Sequence, residues 1–463
     1  MPVVHKDAVL QKPAERLALP REPLAGAFWW LSAFYVVYCA RPEDWIPGLD
    51  YIPLAKISGI FALLGLLMSS GKAKRHLRDI PIEAKYLFGI IVLLFASALF
   101  SPVWRGGAFF RTVDFSKVLI AWVLTFFVVT SVGRLRRIIF IQAASVVVIA
   151  VVSMLKGRSH PRLDGVIGGM YSNPNDLAFA IVLTLPFCFA FLLSTRSMPR
   201  KAAWAASMLA MCVCLFMTSS RAGFIDLLIT GSVCLWIFGV KGKRLHIVVA
   251  AIVVVLVVGL AAGGQLKSRF LAISGKNISN EVDLSAHDSY EERRFLMVQS
   301  MQAIEHYPLG LGMGDFAVYS GLWRDVHVSY LQIAVEGGIT SLVLYLLYFA
   351  RGFKNLRRLR SKPNYDPDID LLSGALYAIL IGFMVGAFFA PEAYQYFPYF
   401  AVSYTTVLLM MVREREQSDN ESFSSSSPQL PRSKLRAAIH RRGMTIPANS
   451  RSSRLSATKR TVP

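Results

Sequence analysis

Charged residues are scarce in this sequence. They make up 17% of the 463 residues, whereas 54% of the residues are hydrophobic. Soluble proteins usually carry roughly 25% charged residues. The composition therefore excludes an ordinary soluble domain and predicts a membrane protein.

Cysteine is also rare, and no spacing typical of metal ligands is present. The five cysteines all fall within apolar segments, where they behave as small hydrophobic residues: Cys39, Cys188, Cys212, Cys214 and Cys234. The sequence therefore predicts no disulfide framework, no metal site and no cofactor. It also contains no internal repeat of the kind that is common in secondary transporters.

Long apolar runs dominate the chain instead. A helix that spans a bilayer needs about 20 mostly apolar residues. Twelve runs approach this length: 24–40, 52–70, 86–101, 117–133, 137–155, 177–194, 202–219, 222–240, 245–263, 327–349, 371–390 and 397–412. We therefore expect an all-α polytopic membrane protein with about 12 transmembrane helices.

The connections between these runs alternate in charge. Lysine and arginine are concentrated in every second connection, for example at Arg134, Arg136 and Arg137, whereas the connection 391–396 has none. Cytoplasmic loops collect these residues, so both termini are predicted to be cytoplasmic. The long connection 264–326 then faces the periplasm.

This topology divides the chain into three parts. Residues 1–23 form a polar cytoplasmic segment, because no cleavage site follows the first apolar run. Residues 24–412 form the transmembrane domain, and 413–463 form a basic tail, rich in serine and proline, that we expect to be disordered. Much of the net charge of +21 lies in this tail and in the cytoplasmic loops. Anionic membrane lipids, and not nucleic acid, are thus the expected partners of that charge.

Arg221 lies in "MTSSRAGFIDLL", where almost no loop separates the seventh and eighth runs on the outward side. An arginine at the membrane interface often extends its charged group to water. Its guanidinium group also presents a rigid fork of donors that matches phosphate oxygens. The sequence leaves an interfacial role and an anion-binding role open.

The periplasmic loop contains a helical pattern in "SYEERRFLMVQSMQAIEHYPLG". Ser289 and Glu292 form a capping-box pattern, which predicts that a short helix begins there, and Pro308 predicts its end. Its first turn would carry Arg293 and Arg294, although the helix dipole does not favour cations there. These arginines either bind an anion or form a solvated cluster with neighbouring glutamates.

A lone histidine, His327, follows the glycine-rich stretch "GLGMGDF" and begins the tenth run at the periplasmic surface. Gly310, Gly312 and Gly314 predict close backbone approach or turns with positive φ. An imidazole can accept a proton near neutral pH, so His327 is a candidate general base. A structural histidine at the interface is the alternative.

The sixth run is preceded on the periplasmic side by "SNPNDLA". Asn173, Asn175 and Asp176 surround Pro174, and residues of these types form turns and helix caps. The same amide and carboxylate groups are suited to line a polar pocket. Two fixed positive charges and one base on this face suit a lipid diphosphate.

In this order, the motifs resemble the O-antigen ligase and polymerase superfamily, bacterial membrane enzymes that use glycans linked to undecaprenyl diphosphate. The resemblance spans about residues 165–345 and rests on "NPNDLA", "SSRAG", "HYPLGLGMGDF" and "HVSYLQIAVEGG". The first five runs agree only in hydropathy. Val328 departs from the family, which usually has asparagine after the histidine, and this puts in doubt any role of an amide beside the base.

The resemblance implies an inverting, metal-independent glycosyltransferase of cell-envelope polysaccharide or lipopolysaccharide biosynthesis in the bacterial inner membrane. It implies that Arg221 and Arg293 hold the diphosphate and that His327 activates the acceptor hydroxyl. The spacing to Pro308 favours Arg293 over its neighbour. The remaining candidates for substrate binding are Arg294, Asn173, Asn175 and Asp176. Whether the acceptor is a glycan, a lipid or a protein, and hence whether the enzyme is a ligase or a polymerase, stays open.

Two other functions fit parts of the sequence. The acidic residues of "ARPEDWIPGLDY" suit a metal-dependent multispan glycosyltransferase that uses a lipid-phosphate sugar. A transporter or flippase for lipid-linked sugars would need ionisable residues deep within the runs. Its few candidates are Lys56, Asp226 and Glu336.

Overall fold

The computed structural model describes most of the chain, and its described part is almost entirely helical. Described residues are 23–69, 71, 74–159, 163–165, 171, 173–245, 249, 281–361 and 366–426, with the side chains of 281–290 and 422–426 left out. The chain divides into two units, residues 1–412 and 413–463.

Within the described residues, a series of helices follows the order of the apolar runs. They are α1 (Ala25–Ala40), α2 (Pro42–Trp45), α3 (Leu54–Met68), α4 (Ile82–Phe100), α5 (Arg105–Val128), α6 (Val132–Lys156), α7 (Pro174–Ser194), α8 (Met198–Thr218), α9 (Arg221–Cys234), α10 (Glu281–His306), α11 (Phe316–Tyr319), α12 (Ser329–Arg360), α13 (Pro367–Gly386) and α14 (Tyr396–Ser426). α9 continues as a π-helical turn over Leu235–Val240. Between α6 and α7, β1 (Arg158–Ser159) pairs antiparallel with β2 (Leu163–Asp164).

Seven helical segments of the described chain are long and apolar enough to cross a membrane: Ile82–Phe100, Val132–Lys156, Pro174–Ser194, Met198–Thr218, Arg221–Val240, Ser329–Arg360 and Pro367–Gly386. α1 and α3 are apolar but shorter. α5 is long enough but carries Arg111, Asp114 and Lys117 in its middle. The prediction of an all-α membrane protein is confirmed. The count of about 12 spans stays a prediction, and the run 245–263 lies outside the described residues apart from Leu245 and Val249.

The bundle is held together by apolar packing with internal hydrogen bonds. α12 packs against α4, and α13 packs against α7 and α9. Aromatic side chains fill the centre, where Tyr348 donates a hydrogen bond to the Tyr399 carbonyl at 3.0 Å and Tyr404 donates one to Gln142 Oε1 at 2.7 Å. Such internal partners are required because the hydrocarbon region of a bilayer supplies none.

The predicted start of the helix in the periplasmic loop is wrong. α10 already includes Glu281, so Ser289 is not a helix cap, Arg293 lies mid-helix, and the predicted short helix has 26 residues. The physical reason is that no proline or glycine interrupts residues 281–307, and a capping pattern cannot start a helix where the preceding chain is already helical. The last helix ends at Ser426. The rest of the tail lies outside the described residues, so its expected disorder stays a prediction.

Candidate functional site

The connection between α8 and α9 is only two residues long. Ser219 adopts a left-handed conformation (φ 51°), and Ser220 caps α9 by accepting a hydrogen bond from the Gly223 N–H at 3.1 Å. Arg221 is therefore the first residue of α9. The two serines of "SSRAG" thus fix Arg221 at the end of the bundle where α7 also begins.

The asparagine turn before α7 is hydrogen-bonded to this connection. Asn173 caps α7 by accepting from the Asn175 N–H at 2.9 Å, and Asn175 Oδ1 accepts from the Ser220 hydroxyl at 2.8 Å. A Cβ added at Gly223 would lie 2.6 Å from Ala178 Cβ, so α7 and α9 approach closely here. Asn175 therefore joins α7 to the start of α9, and Asn173 caps α7. Their contact with substrate stays a prediction.

Asp176, next in the same turn, pairs with Glu392 from the connection between α13 and α14. Burial, followed by the negative charge of Asp176, raises the pKa of Glu392 well above its ordinary value. Burial of this carboxyl pair thus disfavours the charged form of Glu392. Sequence reasoning missed Glu392, because "PEAYQY" shows only a lack of lysine and arginine.

Arg293 and Arg294 are adjacent on α10 but lie in different environments. The side chain of Arg294 is 70% exposed and approaches Glu291 at 3.9 Å. Arg293 is half-buried, and among the described residues its buried Nε has no hydrogen-bond partner. Burial, and then the charge of Arg221, lowers the pKa of Arg293. The guanidinium groups of Arg221 and Arg293 therefore lie close enough to repel each other.

His327 lies close to Arg293, just before α12 begins. Burial, together with the charges of Arg293 and Arg324, lowers the pKa of His327 to about 4. The imidazole is therefore neutral at pH 7 and has a lone pair available. Its Nδ1 is buried and has no hydrogen-bond partner in the part of the chain that the structure describes.

Arg324 connects the loop that carries His327 to α10. Its Nη1 lies 2.7 Å from Glu292 Oε2, next to Arg293 in the chain. This ion pair holds the loop against the helix that supplies the buried arginine. Arg324 is a further cation of the site that the sequence analysis did not select, because the segment before His327 has no recognisable motif.

The glycine-rich stretch docks into a break in α12. The Leu311 and Gly312 N–H groups donate to the carbonyls of Val335 and Glu336, at 2.8 and 3.0 Å. α12 is interrupted there because Gly338 has φ 82°. A Cβ at Gly310 (φ 92°) would lie 2.4 Å from the Glu336 carbonyl oxygen. The glycines of "GLGMG" and "EGG" thus permit one close backbone contact, which fixes the first part of α12 after His327.

A second charged group approaches the same loop from α5. Arg111 Nη1 lies 3.5 Å from Asp315 Oδ1, and its guanidinium lies over the Trp104 ring at 5.6 Å. Burial raises the pKa of Asp325, two residues before His327, and the positive charge of Arg111 opposes that shift. The sequence analysis missed Arg111, because the resemblance to the family begins only after α6.

Three of the residues considered for the two other functions, Glu43, Asp44 and Asp226, have identifiable polar contacts. Glu43 and Asp44 both pair with Arg41, at 3.2 and 3.0 Å. Asp226 accepts a hydrogen bond from Thr230 at 3.3 Å where α9 meets α13. Over residues 23–426, leaving out the gaps in the description, no group of three His, Cys, Asp or Glu side chains is arranged to hold a metal ion.

Comparison with known families bears on this arrangement. Residues 206–346 match the family model described as O-antigen ligase. This segment is similar to the O-antigen ligase family. The resemblance to the O-antigen ligase and polymerase superfamily is thereby confirmed. A search of curated proteins finds no match.

The matched segment contains four of the candidate site residues, Arg221, Arg293, Arg294 and His327. The asparagine turn before α7 and Arg111 lie outside it. At the family level, the match indicates a membrane enzyme of glycosyltransferase type that acts in cell-envelope polysaccharide biosynthesis on lipid-linked glycans.

Proposed function

We propose that the protein transfers a glycan from an undecaprenyl-diphosphate-linked donor to an acceptor hydroxyl, with inversion of the anomeric centre. The reaction takes place on the periplasmic side of a bacterial inner membrane, with both termini of the chain in the cytoplasm. The O-antigen ligase match supports the reaction class. The alternation of lysine and arginine between connections supports the orientation.

The observation that carries this proposal is the convergence of two guanidinium groups and a neutral imidazole. They come from the start of α9, the middle of α10 and the residue before the cap of α12. Like charges that repel each other in the free protein gain most from a bound dianion. A diphosphate supplies that charge, and a guanidinium group matches the geometry of its oxygens.

The chemistry follows from this arrangement. The acceptor oxygen attacks the anomeric carbon from the face opposite the diphosphate, and the bond from that carbon to the diphosphate oxygen breaks. The hydroxyl proton passes to a ring nitrogen of His327. The diphosphate leaves with the bonding electron pair, and Arg221 and Arg293 stabilise the charge that develops on it. The arginines supply positive charge that a metal ion provides in other transferases.

Donor binding also adjusts the base. In the free protein, the charge of Arg293 helps to lower the pKa of His327 to about 4, which makes the imidazole a weak base. A bound diphosphate offsets that positive charge, so the pKa of His327 rises when the donor is in place. His327 thus becomes a stronger base at the moment when a proton must be accepted.

The acidic residues of the first connection pair with an arginine, whereas a metal-dependent enzyme would use them to bind a metal ion. Glu43 and Asp44 are the counter-ions of Arg41, so much of their charge is already neutralised. Their geometry favours a structural role in the short helix α2, which follows α1.

Deletion of the coding sequence in the parent organism tests the proposed function. The length of the surface glycan and its attachment to lipid are then compared with the wild type on gels. Short single units indicate a polymerase, and unattached full-length chains indicate a ligase. Surface glycan of unchanged length and attachment would contradict both.

A further inference from the structure

A large cavity lies between α1, α3 and α5, separate from the arginine pair. Its volume is about 840 Å³, within the roughly 300–1,000 Å³ that is usual for small-molecule sites. Most of its wall is apolar, including Phe34, Ile60, Leu63, Phe115 and Leu124. We call it the lateral cavity.

The lateral cavity is deep as well as apolar. Its lining residues on α5 run from Arg111 to Leu124, and at 1.5 Å per residue this stretch covers roughly 20 Å of helix. The hydrocarbon core of a bilayer is about 30 Å thick. The cavity therefore follows α5 through much of the membrane, which suits a hydrocarbon chain better than a soluble sugar.

The charged residues that line the cavity are four cations and four carboxylates: Arg41, Lys56, Arg111, Lys117, Glu43, Asp44, Asp50 and Asp114. Of the cations that line the cavity, Arg41 and Lys117 are each paired with acidic neighbours. The Arg111 side chain is 42% exposed, with Asp315 at 3.5 Å, and Lys56 has no ion-pair partner among the described residues. Arg111 and Lys56, near the starts of α5 and α3, are thus the groups best placed to attract an anion at this end.

This charged end adjoins the His327 loop. Burial raises the pKa of Asp325, which lies two residues before His327, and the positive charge of Arg111 opposes that rise. Met313 and Tyr394 also line the cavity. The pKa of His327 itself is instead lowered by burial and by the charge of Arg293, which belongs to the arginine pair. The lateral cavity and the arginine pair therefore approach the base through different residues.

We propose that the lateral cavity binds the hydrocarbon chain of the acceptor, and that Arg111 and Lys56 bind an anionic group of its head, a phosphate or an acidic sugar. The inference rests on the proposed function, since it names the second substrate of that site as a membrane lipid and not a protein. A chain along α5 places the head of the lipid beside the loop that carries the base.

Blocking the cavity tests this proposal without any transfer reaction. The probe is phosphatidic acid with two ten-carbon acyl chains, and native mass spectrometry measures its binding to the full-length protein in detergent. Leu63→Trp adds bulk inside the cavity and should weaken binding roughly tenfold or more. Leu64→Trp, on the next residue of α3, lies outside the cavity lining and should bind as the wild type does. Equal binding by both variants would overturn the proposal.

The charged end has its own matched pair of variants. Arg111→Gln should weaken binding of phosphatidic acid by about tenfold, and it should leave binding of the uncharged diacylglycerol with the same chains unchanged. Arg105→Gln, an exposed residue one and a half turns earlier on α5, should affect neither lipid. If Arg111→Gln weakened the binding of phosphatidic acid and of diacylglycerol equally, Arg111 would not recognise an anionic group and this part of the proposal would be refuted.

Kinetics then separate this inference from the proposed function. If transfer is observed, Leu63→Trp should raise the KM for a lipid-borne acceptor and leave the KM for the donor unchanged. A raised KM for the donor would assign the cavity to the donor and overturn the proposal. If no transfer is found with any acceptor, the proposed function fails, and the binding contrast still decides whether the cavity holds an anionic lipid.

Discussion

Replacing Arg293 by glutamine separates a buried functional arginine from its exposed neighbour. Arg293 is half-buried and is affected by the like charge of Arg221. A donor that stabilises developing charge contributes about 10²–10³-fold in rate. Arg293→Gln should therefore lower kcat by about 10²-fold or more. Arg294→Gln removes only an exposed ion pair, in which Arg294 Nη1 lies 3.9 Å from Glu291 Oε2. Such pairs contribute about 0–1 kcal/mol, so transfer should change by at most about fivefold.

The assay uses both purified variants in liposomes with a lipid-diphosphate donor and a titrated acceptor. Thermal unfolding midpoints show that both variants are folded, and Arg293→Lys, which keeps the charge, provides a second variant should glutamine destabilise α10. Equal losses for Arg293→Gln and Arg294→Gln would refute the reasoning from burial. A larger loss of kcat for Arg294→Gln than for Arg293→Gln would assign the functional role to Arg294.

Three further predictions concern the base, the glycine contact and the topology. Because the pKa of His327 is lowered to about 4, the neutral base persists in acid, and kcat/KM should stay level down to about pH 5; a fall centred near pH 6.5 would contradict this. Gly310→Ala places a Cβ 2.4 Å from a backbone oxygen of α12, whereas Gly321→Ala meets nothing within 4 Å, although both positions have positive φ. The first should lower the unfolding midpoint more, and equal shifts would refute the docking contact. Reporter fusions near Ser285 should read periplasmic and those after Arg360 cytoplasmic; a cytoplasmic reading near Ser285 would overturn the orientation.

Hydropathy and local motifs were sufficient to predict much of the architecture. Apolar runs correspond to helices, because a run of this length must satisfy its backbone internally in lipid. The tight connection before Arg221 follows from the cap formed by Ser220. The start of α10 was mispredicted at Ser289, because a cap pattern is local and carries no information on whether the preceding chain is already helical.

The candidate site could be predicted only in part. Arg221 and His327 belong to motifs that are contiguous in sequence, so sequence reasoning selected them. Glu392, Arg111 and Arg324 approach the site through tertiary contacts with no motif of their own. Only the packing of the helices brings these side chains to the same end of the bundle.

The substitution of His327 by glutamine tests the central claim most directly. Glutamine hydrogen-bonds at a similar reach but cannot take up a proton at neutral pH. The measurement is transfer by the purified variant in liposomes with donor and acceptor supplied, together with retention of the lipid-linked donor. The account predicts that transfer is abolished while donor binding is kept, since the arginines hold the diphosphate. Transfer within a few fold of the wild type would contradict it.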